Sequence, residues 1–282
     1  MRLPIRLLIA AAMVIFAVVS YFSVRQENPV TGETQHISLS PDQEIALGLE
    51  AAPQMAGQMG GLYPNEQVQD YVNRIGQTVV ANSRAKNGPY QYQFHVLADD
   101  QTVNAFALPG GQIFITSALL SKLENEAQLA GVLGHEIGHV IGRHAAEHLA
   151  KGKLSQLLVG AAGVAGSDQM GGGQGTAMIA SVVANLTSLQ YGRKDELESD
   201  TLGIDFMAEA GYDPRAMVGV MDILENASGG QGRGPSWLQS HPDPGNRRES
   251  IRQRIAEKFP NGVSDTRGTG DEHAFRAMQA QL

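Results

Sequence analysis

The first feature of the chain is an apolar run near its N-terminus. It extends from Leu7 to Val24, is interrupted by two serines, and has arginines on both sides. A run of about 18 residues lies at the boundary between a short membrane helix and a long signal peptide. The basic N-terminal flank predicts that the chain after Arg25 is exported. We therefore expect residues 1–27 to be a signal or N-terminal membrane anchor. The anchor is favoured because no clear small-residue cleavage site closes the run.

Beyond a polar linker at residues 28–39, the pattern predicts mostly helices. Ser40 and Pro41 are typical of a helix start. The next helix carries apolar residues at helical spacing on one face: Val68, Val72, Ile75 and Val79. Further helices are predicted from the Asn125 cap to about Ala150 and at about 193–210, 213–226 and 243–259.

Three short strands are predicted before the Asn125 helix. Residues that favour β-structure occupy 90–97, 104–108 and 112–116. The whole pattern indicates an α+β fold that is mainly helical with a small sheet. It places one domain at residues 40–260 and a loosely ordered tail at 261–282.

Two apolar stretches at residues 154–165 and 176–191 flank a glycine-rich break at 166–175. Each stretch is too short to span a bilayer alone. The sequence leaves three interpretations of this region open: a buried hairpin, a lid and a membrane-dipping element.

The clearest chemical signal lies on the helix predicted to start at Asn125. His135, Glu136 and His139 form the pattern H-E-x-x-H. Residues four apart share a helix face, about 40° apart, so both imidazoles can bind one Zn²⁺ at about 2.0–2.1 Å. Glu136 lies about 100° round the helix, where it can take a proton from an activated water without binding the metal. We therefore predict that His135 and His139 are zinc ligands and that Glu136 is a general base.

A catalytic zinc site needs a third protein ligand and an open fourth position. Glu196 and Asp200 lie four residues apart on a predicted helix, whereas Glu198 points away from their shared face. We assign Glu196 to the metal. Asp200 is assigned to the outer N–H of a ligand histidine, whose orientation and basicity it would fix. A solvated acidic helix start is the alternative, because carboxylates favour that end of the helix dipole.

Three more histidines have weaker signals. On a continuous helix, His144 and His148 fall about 180° and 220° from His135, so they are predicted to face away from the metal as packing or surface residues. His241 precedes a predicted helix start, with Arg247 six residues later. Brought to the site, His241 can stabilise the oxyanion of a tetrahedral intermediate. The alternative is a loop histidine in front of a helix cap.

Composition narrows the chemistry further. The 282 residues include no cysteine, 21 Lys+Arg and 29 Asp+Glu, which gives a net charge of −8. The missing cysteine excludes a disulfide scaffold, a cysteine-bound metal and a thiol nucleophile. A metal must therefore be held by imidazole and carboxylate groups. The acidic balance argues against a nucleic-acid partner.

Several segments together resemble one known family. They are Val103–Gly111, Ile113–Thr116, the H-E-x-x-H helix and the stretch from Arg193 to Asp200. Across roughly residues 40–260, the chain resembles the HtpX and CAAX-prenyl-endopeptidase family of zinc metallopeptidases, which are gluzincins. Within that family it is most similar to the periplasmic, beta-barrel assembly-enhancing type, without the helical repeats that such members can carry. Gly192 and Ser199 depart from the family pattern, which usually has Ser and Ala there.

The resemblance has structural implications. It implies a zincin-like fold in which an edge strand of the small sheet lines the cleft. It agrees with Glu196 as the third ligand and brings His241 and Arg247 towards the site. It also implies that an extended substrate pairs its backbone with the edge strand. The residues expected to bind it are Asn104, Ala105, Phe106, Gly110 and Gly111, with the two glycines allowing close approach.

The sequence thus predicts a zinc endopeptidase with one Zn²⁺ per chain, and the resemblance implies that it cleaves misfolded or unassembled envelope proteins. It is expected in the cell envelope, either anchored in the inner membrane and facing the periplasm, or periplasmic if the first 25 or so residues are removed. Its expected partners are the unfolded polypeptide and the membrane, with no nucleic acid. The alternative is a chaperone-like binding protein with a mainly structural zinc, which would not need Glu136. Hydrolysis of a small amide also stays open.

Overall fold

The computed structural model describes residues 4–166, 190–228, 237, 240–242, 246–262 and 266–282. The chain divides into two compact units. The smaller comprises Met1–Ser40 and Ala145–Leu189, and the larger comprises Pro41–His144 and Gln190–Leu282. Residues 167–189, which include most of the predicted glycine-rich region, lie outside the described residues.

The smaller unit contains the N-terminal apolar helix. This helix, α1 (Ile5–Ser23), has 19 residues and a mean hydropathy of 2.3, and is long and apolar enough to cross a membrane. Two short antiparallel strands follow, β1 (Arg25–Glu27) and β2 (Thr34–His36). The expected linker at 28–39 is therefore partly a strand. The unit also holds most of α6 (His144–Gly166), from Ala145 onward.

The larger unit is mainly helical around a small sheet. Its elements in chain order are α2 (Pro41–Gln58), α3 (Glu66–Ala81), β3 (Gln93–Leu97), β4 (Ala105–Ala107), β5 (Gln112–Thr116), α4 (Ser117–Leu120), α5 (Glu126–Ile141), α7 (Arg193–Glu209), α8 (Ala216–Ser228), α9 (Arg247–Lys258) and α10 (Glu272–Gln279). The predicted α+β fold is confirmed. The predicted start of α9 at residues 243–245 lies outside the described residues.

The sheet has the order β3-β5-β4, with β5 in the centre. β3 is parallel to β5, and β4 is antiparallel to it, with Phe106 opposite Phe114. All five residues of β5 are buried, as expected for a central strand. β4 forms the edge of this sheet and contacts α5, the helix that carries the H-E-x-x-H pattern. The expected edge strand at the cleft is therefore β4.

Local signals set the helix starts as predicted. The Asn125 side chain accepts a hydrogen bond of 3.0 Å from the backbone N–H of Gln128 and so caps α5. In α3, the four apolar residues that repeat at helical spacing are all fully buried: Val68, Val72, Ile75 and Val79. Periodicity therefore identified the packed face of α3.

The helix that carries the motif ends earlier than predicted. α5 stops at Ile141, and Arg143 adopts a left-handed backbone with φ of 55° before α6 begins. Such a conformation costs about 1–2 kcal/mol for a residue with a side chain. A buried ion pair offsets this cost, because Arg143 Nε donates to Glu44 Oε1 over 2.9 Å. Glu44 also accepts a hydrogen bond from Tyr90. The expectation of one helix to about Ala150 is wrong because this tertiary contact bends the chain.

α5 and α7 pack at very short range because small residues line their contact. A Cβ on Gly203 would lie 3.0 Å from the backbone nitrogen of His135, and one on Gly138 would lie 3.0 Å from Ser199 Cα. Spacings this short exclude larger side chains at the two glycines. Ser199, which stands where the family pattern usually has Ala, is compatible with this packing because serine is also small.

The C-terminal segment corrects a second expectation. Residues 272–279 form α10 rather than a loosely ordered tail, and Phe275 and Met278 of this helix are buried. The Phe275 ring lies 6.2 Å from that of Tyr71 on α3. The side chain of Gln279 also donates to the carbonyl of Leu123 over 2.7 Å. Two apolar residues three apart in sequence were too weak a signal to predict this helix.

We expect Phe275→Ala to lower the free energy of unfolding by about 3–5 kcal/mol, because it removes a fully buried ring. His273→Ala, on the exposed face of the same helix, is the matched control and should change little. Urea unfolding of both variants measures the difference. Equal stabilities would show that α10 does not contribute to the core.

Candidate metal centre and active site

Four buried side chains converge between α5 and α7. His135, His139, Glu196 and His241 each offer one ligand atom, and these atoms lie within 4.8 Å of one another. His135 Nε2 is 3.0 Å from His139 Nε2 and 3.4 Å from His241 Nδ1. Glu196 Oε1 is 2.9 Å from His241 Nδ1 and 3.4 Å from His139 Nε2. The structure thus brings together the three predicted ligands and His241.

These spacings fit a metal ion. Four ligands bound tetrahedrally at about 2.0–2.1 Å would have donor atoms about 3.3 Å apart. The four separations given above, 2.9–3.4 Å, bracket that value, and all four donor atoms lie within 4.8 Å of one another. Three imidazoles and one carboxylate are also a donor set that zinc and related divalent metals prefer.

Burial sets the protonation of the two histidines on α5. It lowers the pKa of His135 and lowers that of His139 well below its usual value. Burial also acts to raise the pKa of Glu196. However, the attraction of His241 and hydrogen bonds from histidines outweigh it and hold that pKa well below its usual value. Neutral imidazoles and an ionised carboxylate are the forms that bind metals.

Asp200 lies outside the cluster of four donors and supports one of its histidines. Asp200 Oδ1 lies 3.0 Å from His135 Nδ1, on the side of the ring away from the cluster. This is the position that the sequence assigned to Asp200. It lets the carboxylate fix the tautomer and the direction of the imidazole.

Arg247 is a central residue whose position sequence reasoning did not specify. Its guanidinium donates two hydrogen bonds to Asp200, from Nε to Oδ2 over 2.9 Å and from Nη2 to Oδ1 over 2.7 Å. Its Nη1 lies 2.8 Å from Glu196 Oε2. One buried arginine thus fixes both carboxylates and lowers the pKa of Asp200 against the opposing effect of burial. The spacing of Arg247 from His241 and the resemblance placed it near the site, but no sequence signal predicted that it pairs with two carboxylates.

Glu136 is fully buried next to this cluster but does not join it. Neither of its oxygens has a hydrogen-bond partner within the described part of the chain. Burial raises its pKa to about 7. The nearest charged partner is His241, whose Nε2 lies 3.7 Å from Glu136 Oε1. An unpartnered carboxyl group with a pKa near neutrality suits proton transfer.

Two aromatic rings hold the histidines in place. Trp237 stacks on His241 with ring centroids 4.3 Å apart, and Tyr191 stacks on His139 at 4.0 Å. Both rings are buried. Their backbones join the same arrangement, because Tyr191 N–H donates to Ser240 O over 3.0 Å and Trp237 N–H donates to Val103 O over 3.2 Å. Neither aromatic residue belonged to a recognisable chemical motif.

His144 differs most from its prediction. Because the chain turns at Arg143, His144 does not face away from the cluster, and its Nδ1 lies 2.8 Å from His139 Nδ1. Its Nε2 lies 3.5 Å from Glu198 Oε2. His139 is therefore linked to the carboxylate of Glu198 through His144, whereas His135 lies directly beside the carboxylate of Asp200. The assumption of a continuous helix hid this contact. The expectation that His144 is a packing residue agrees with its burial.

The predicted substrate-binding residues separate into two groups. Asn104, Ala105 and Phe106 lie at or just before the edge strand β4, and Phe106 is half-buried. Gly110 and Gly111 have positive φ of 81° and 105° and are buried. A Cβ on Gly110 would lie 2.3 Å from Ile45 Cα. The segment that approaches Gly110 closely is therefore α2 of this chain. The expectation that the two glycines admit a substrate stays a prediction.

Comparisons with known proteins agree with this geometry. The sequence model of peptidase family M48 matches residues 66–255. The chain is 31% identical to the beta-barrel assembly-enhancing protease of Yersinia pestis over 243 residues, which are 84% of this chain and 49% of that protein. It is 30% identical to the Escherichia coli (strain K12) protein of the same name over 262 residues, 91% and 53% of the two chains. The mitochondrial metalloendopeptidase OMA1 of Schizosaccharomyces pombe is 27% identical over 242 residues, 85% and 69%.

The chain spans about half the length of the beta-barrel assembly-enhancing proteases that it matches. The matched family region contains all four side chains of the buried cluster, together with Glu136 and Arg247. On the family match, which covers more than half of the chain, the protein belongs to peptidase family M48.

Proposed function

We propose that the protein is a zinc endopeptidase that cleaves misfolded or unassembled envelope polypeptides. The observation that carries the proposal is the unpartnered carboxyl group of Glu136 beside four buried donor atoms. A site built only to hold a metal for stability needs ligands and their supports but no such group. His135, His139 and Glu196 are the proposed protein ligands.

Bound zinc would supply a Lewis acid that polarises the scissile carbonyl and lowers the pKa of a water molecule to about 7. Glu136 would take the proton as that water attacks and then pass a proton to the leaving amine. Asp200 would hold His135 in orientation, and Arg247 would hold the carboxylates of Glu196 and Asp200. The oxyanion role of His241 stays a prediction, because it requires Nδ1 of His241 to leave the donor cluster.

The edge strand supports a polypeptide as the substrate. β4 offers its outer edge for backbone pairing, which binds extended chains largely independently of their side chains. The buried Asn104 Oδ1, which lacks a hydrogen-bond partner in the described segments, can accept one from a substrate amide. Envelope substrates are supported by the names of the relatives at about 30% identity. We place the protein at the inner membrane, facing the periplasm, because of α1.

We expect Glu136→Gln to keep its zinc and lose at least about 100-fold in kcat/KM, since general bases contribute about 10²–10⁴-fold. Zinc content and cleavage of β-casein are measured on the same preparations. Glu257→Gln, an exposed change of the same kind, should retain full activity. Unaltered cleavage by Glu136→Gln, or a zinc-loaded wild type that cleaves nothing, would overturn the mechanism and favour the chaperone-like alternative.

Glu196→Ala should lose stoichiometric zinc, because it removes the carboxylate from the donor set. Glu198→Ala should remain zinc-loaded, because among the described residues Glu198 reaches the cluster through His144 and does not itself belong to it. The metal content of both purified variants decides between the two glutamates. Equal zinc retention would contradict the assignment of Glu196.

His144→Ala is expected to weaken zinc binding by about 10-fold or more, because outer partners of ligand histidines contribute about 10–100-fold to metal affinity. His144→Asn should restore part of the affinity, because its side-chain oxygen can accept from the His139 ring. Competition with a chelator measures all variants, and His148→Ala on the same helix is the control. Wild-type affinity in His144→Ala would show that the contact is only packing.

A further inference from the structure

Most of the α1 surface is exposed in the smaller unit. Large apolar side chains point outward along its length, including Ile15, Phe16, Val19 and Phe22, each more than 60% exposed. A helix of 19 residues is about 28 Å long, close to the hydrocarbon thickness of a bilayer of about 30 Å. The exposed faces of α1 therefore match a lipid environment in both length and chemistry.

One face of α1 is covered, and α6 lies against part of it. Ala10 and Ala17 are seven residues apart on the same face and are buried, as is Ala161 on α6. A Cβ built on Gly160 would lie 3.9 Å from Met13 Cε. Small residues thus line both helices where they meet, which is typical of helix pairs inside membranes.

The two helices run in opposite directions. Near the end of α1, a small cavity is lined by Tyr21 and Val24 together with Lys153 and Leu154 of α6. Further along, Gly160 lies beside Met13. From Leu154, α6 lies beside α1 at least as far as Gly160. It continues to Gly166, about 18 Å from Leu154, which is more than half of the hydrocarbon thickness.

The composition of α6 changes where it meets α1. Residues 154–166 contain no charged side chain, and Val159 is 69% exposed. Lys151 and Lys153 directly precede this stretch, and Arg25 follows α1 at the same end. Cations and a tyrosine at one end of an apolar helix pair are typical of a membrane–water interface.

We propose that α6 enters the bilayer beside α1, so that residues 154–166 form a second membrane-embedded segment and α1 is retained in the mature protein. The inference rests on the membrane location proposed above but not on peptidase activity. It selects the membrane-dipping interpretation for the described part of the apolar region. The small-residue face of α6 would then be paired with α1, and Val159 would face lipid.

The absence of native cysteine allows a clean test. Val159→Cys, Phe16→Cys and Lys151→Cys are each made in the full chain, labelled with a nitroxide and reconstituted in phosphatidylethanolamine–phosphatidylglycerol vesicles. Collision with oxygen or with a water-soluble nickel chelate reports the depth of each label. We expect Phe16 and Val159 labels to show lipid-like accessibility and the Lys151 label to be accessible to the chelate. The mass of the membrane-bound protein should include residues 1–25.

Two results would overturn the inference. A water-accessible Val159 label with a lipid-embedded Phe16 label would refute membrane entry of α6 while leaving the anchor intact. A mature chain that lacks α1, or a water-accessible Phe16 label, would refute the anchor and the inference together.

Discussion

The site depends first on how closely α5 and α7 approach each other. Glycine on α5 and glycine and serine on α7 leave no room for larger side chains at their contact. A wider separation would move Glu196 away from His139 by the added distance, and the donor set would no longer match the size of a tetrahedral metal site. Packing of small residues is thus the condition under which two helices, distant in sequence, form one centre.

Burial makes electrostatics the second constraint. Ionised groups removed from water are costly unless they are paired. Asp200 and Glu196 are paired by Arg247, and Glu44 is paired by Arg143. Against this pattern, Glu136 stands out as a buried carboxyl group without such a hydrogen-bonded partner in the described structure. Its raised pKa is the direct consequence, and the same isolation leaves it free to exchange a proton.

The sequence predicted what local rules control. The Asn125 cap, the apolar face of α3, the short strands and the i, i+4 relation of His135 and His139 all follow from spacing along one element. Sequence spacing did not predict the structure where a contact between residues distant in sequence bends the chain. Arg143 turns because Glu44, about a hundred residues earlier, holds its side chain, and this places His144 on the cluster. Likewise, sequence spacing did not predict that α2 packs closely against Gly110.

The four donors are held by different means, and this difference bears on function. His135, His139 and Glu196 lie on two helices that are packed against each other, so their positions follow from the core. α5 is also fixed at its start, where buried Glu126 accepts hydrogen bonds from Tyr71 and Tyr212. His241 instead depends on the stacked ring of Trp237 and on backbone hydrogen bonds to neighbouring segments. A zinc peptidase needs three fixed ligands and one exchangeable position. Three donors held by helix packing and one held by stacking would meet that need if His241 stood at the exchangeable position, as the proposed ligand set requires.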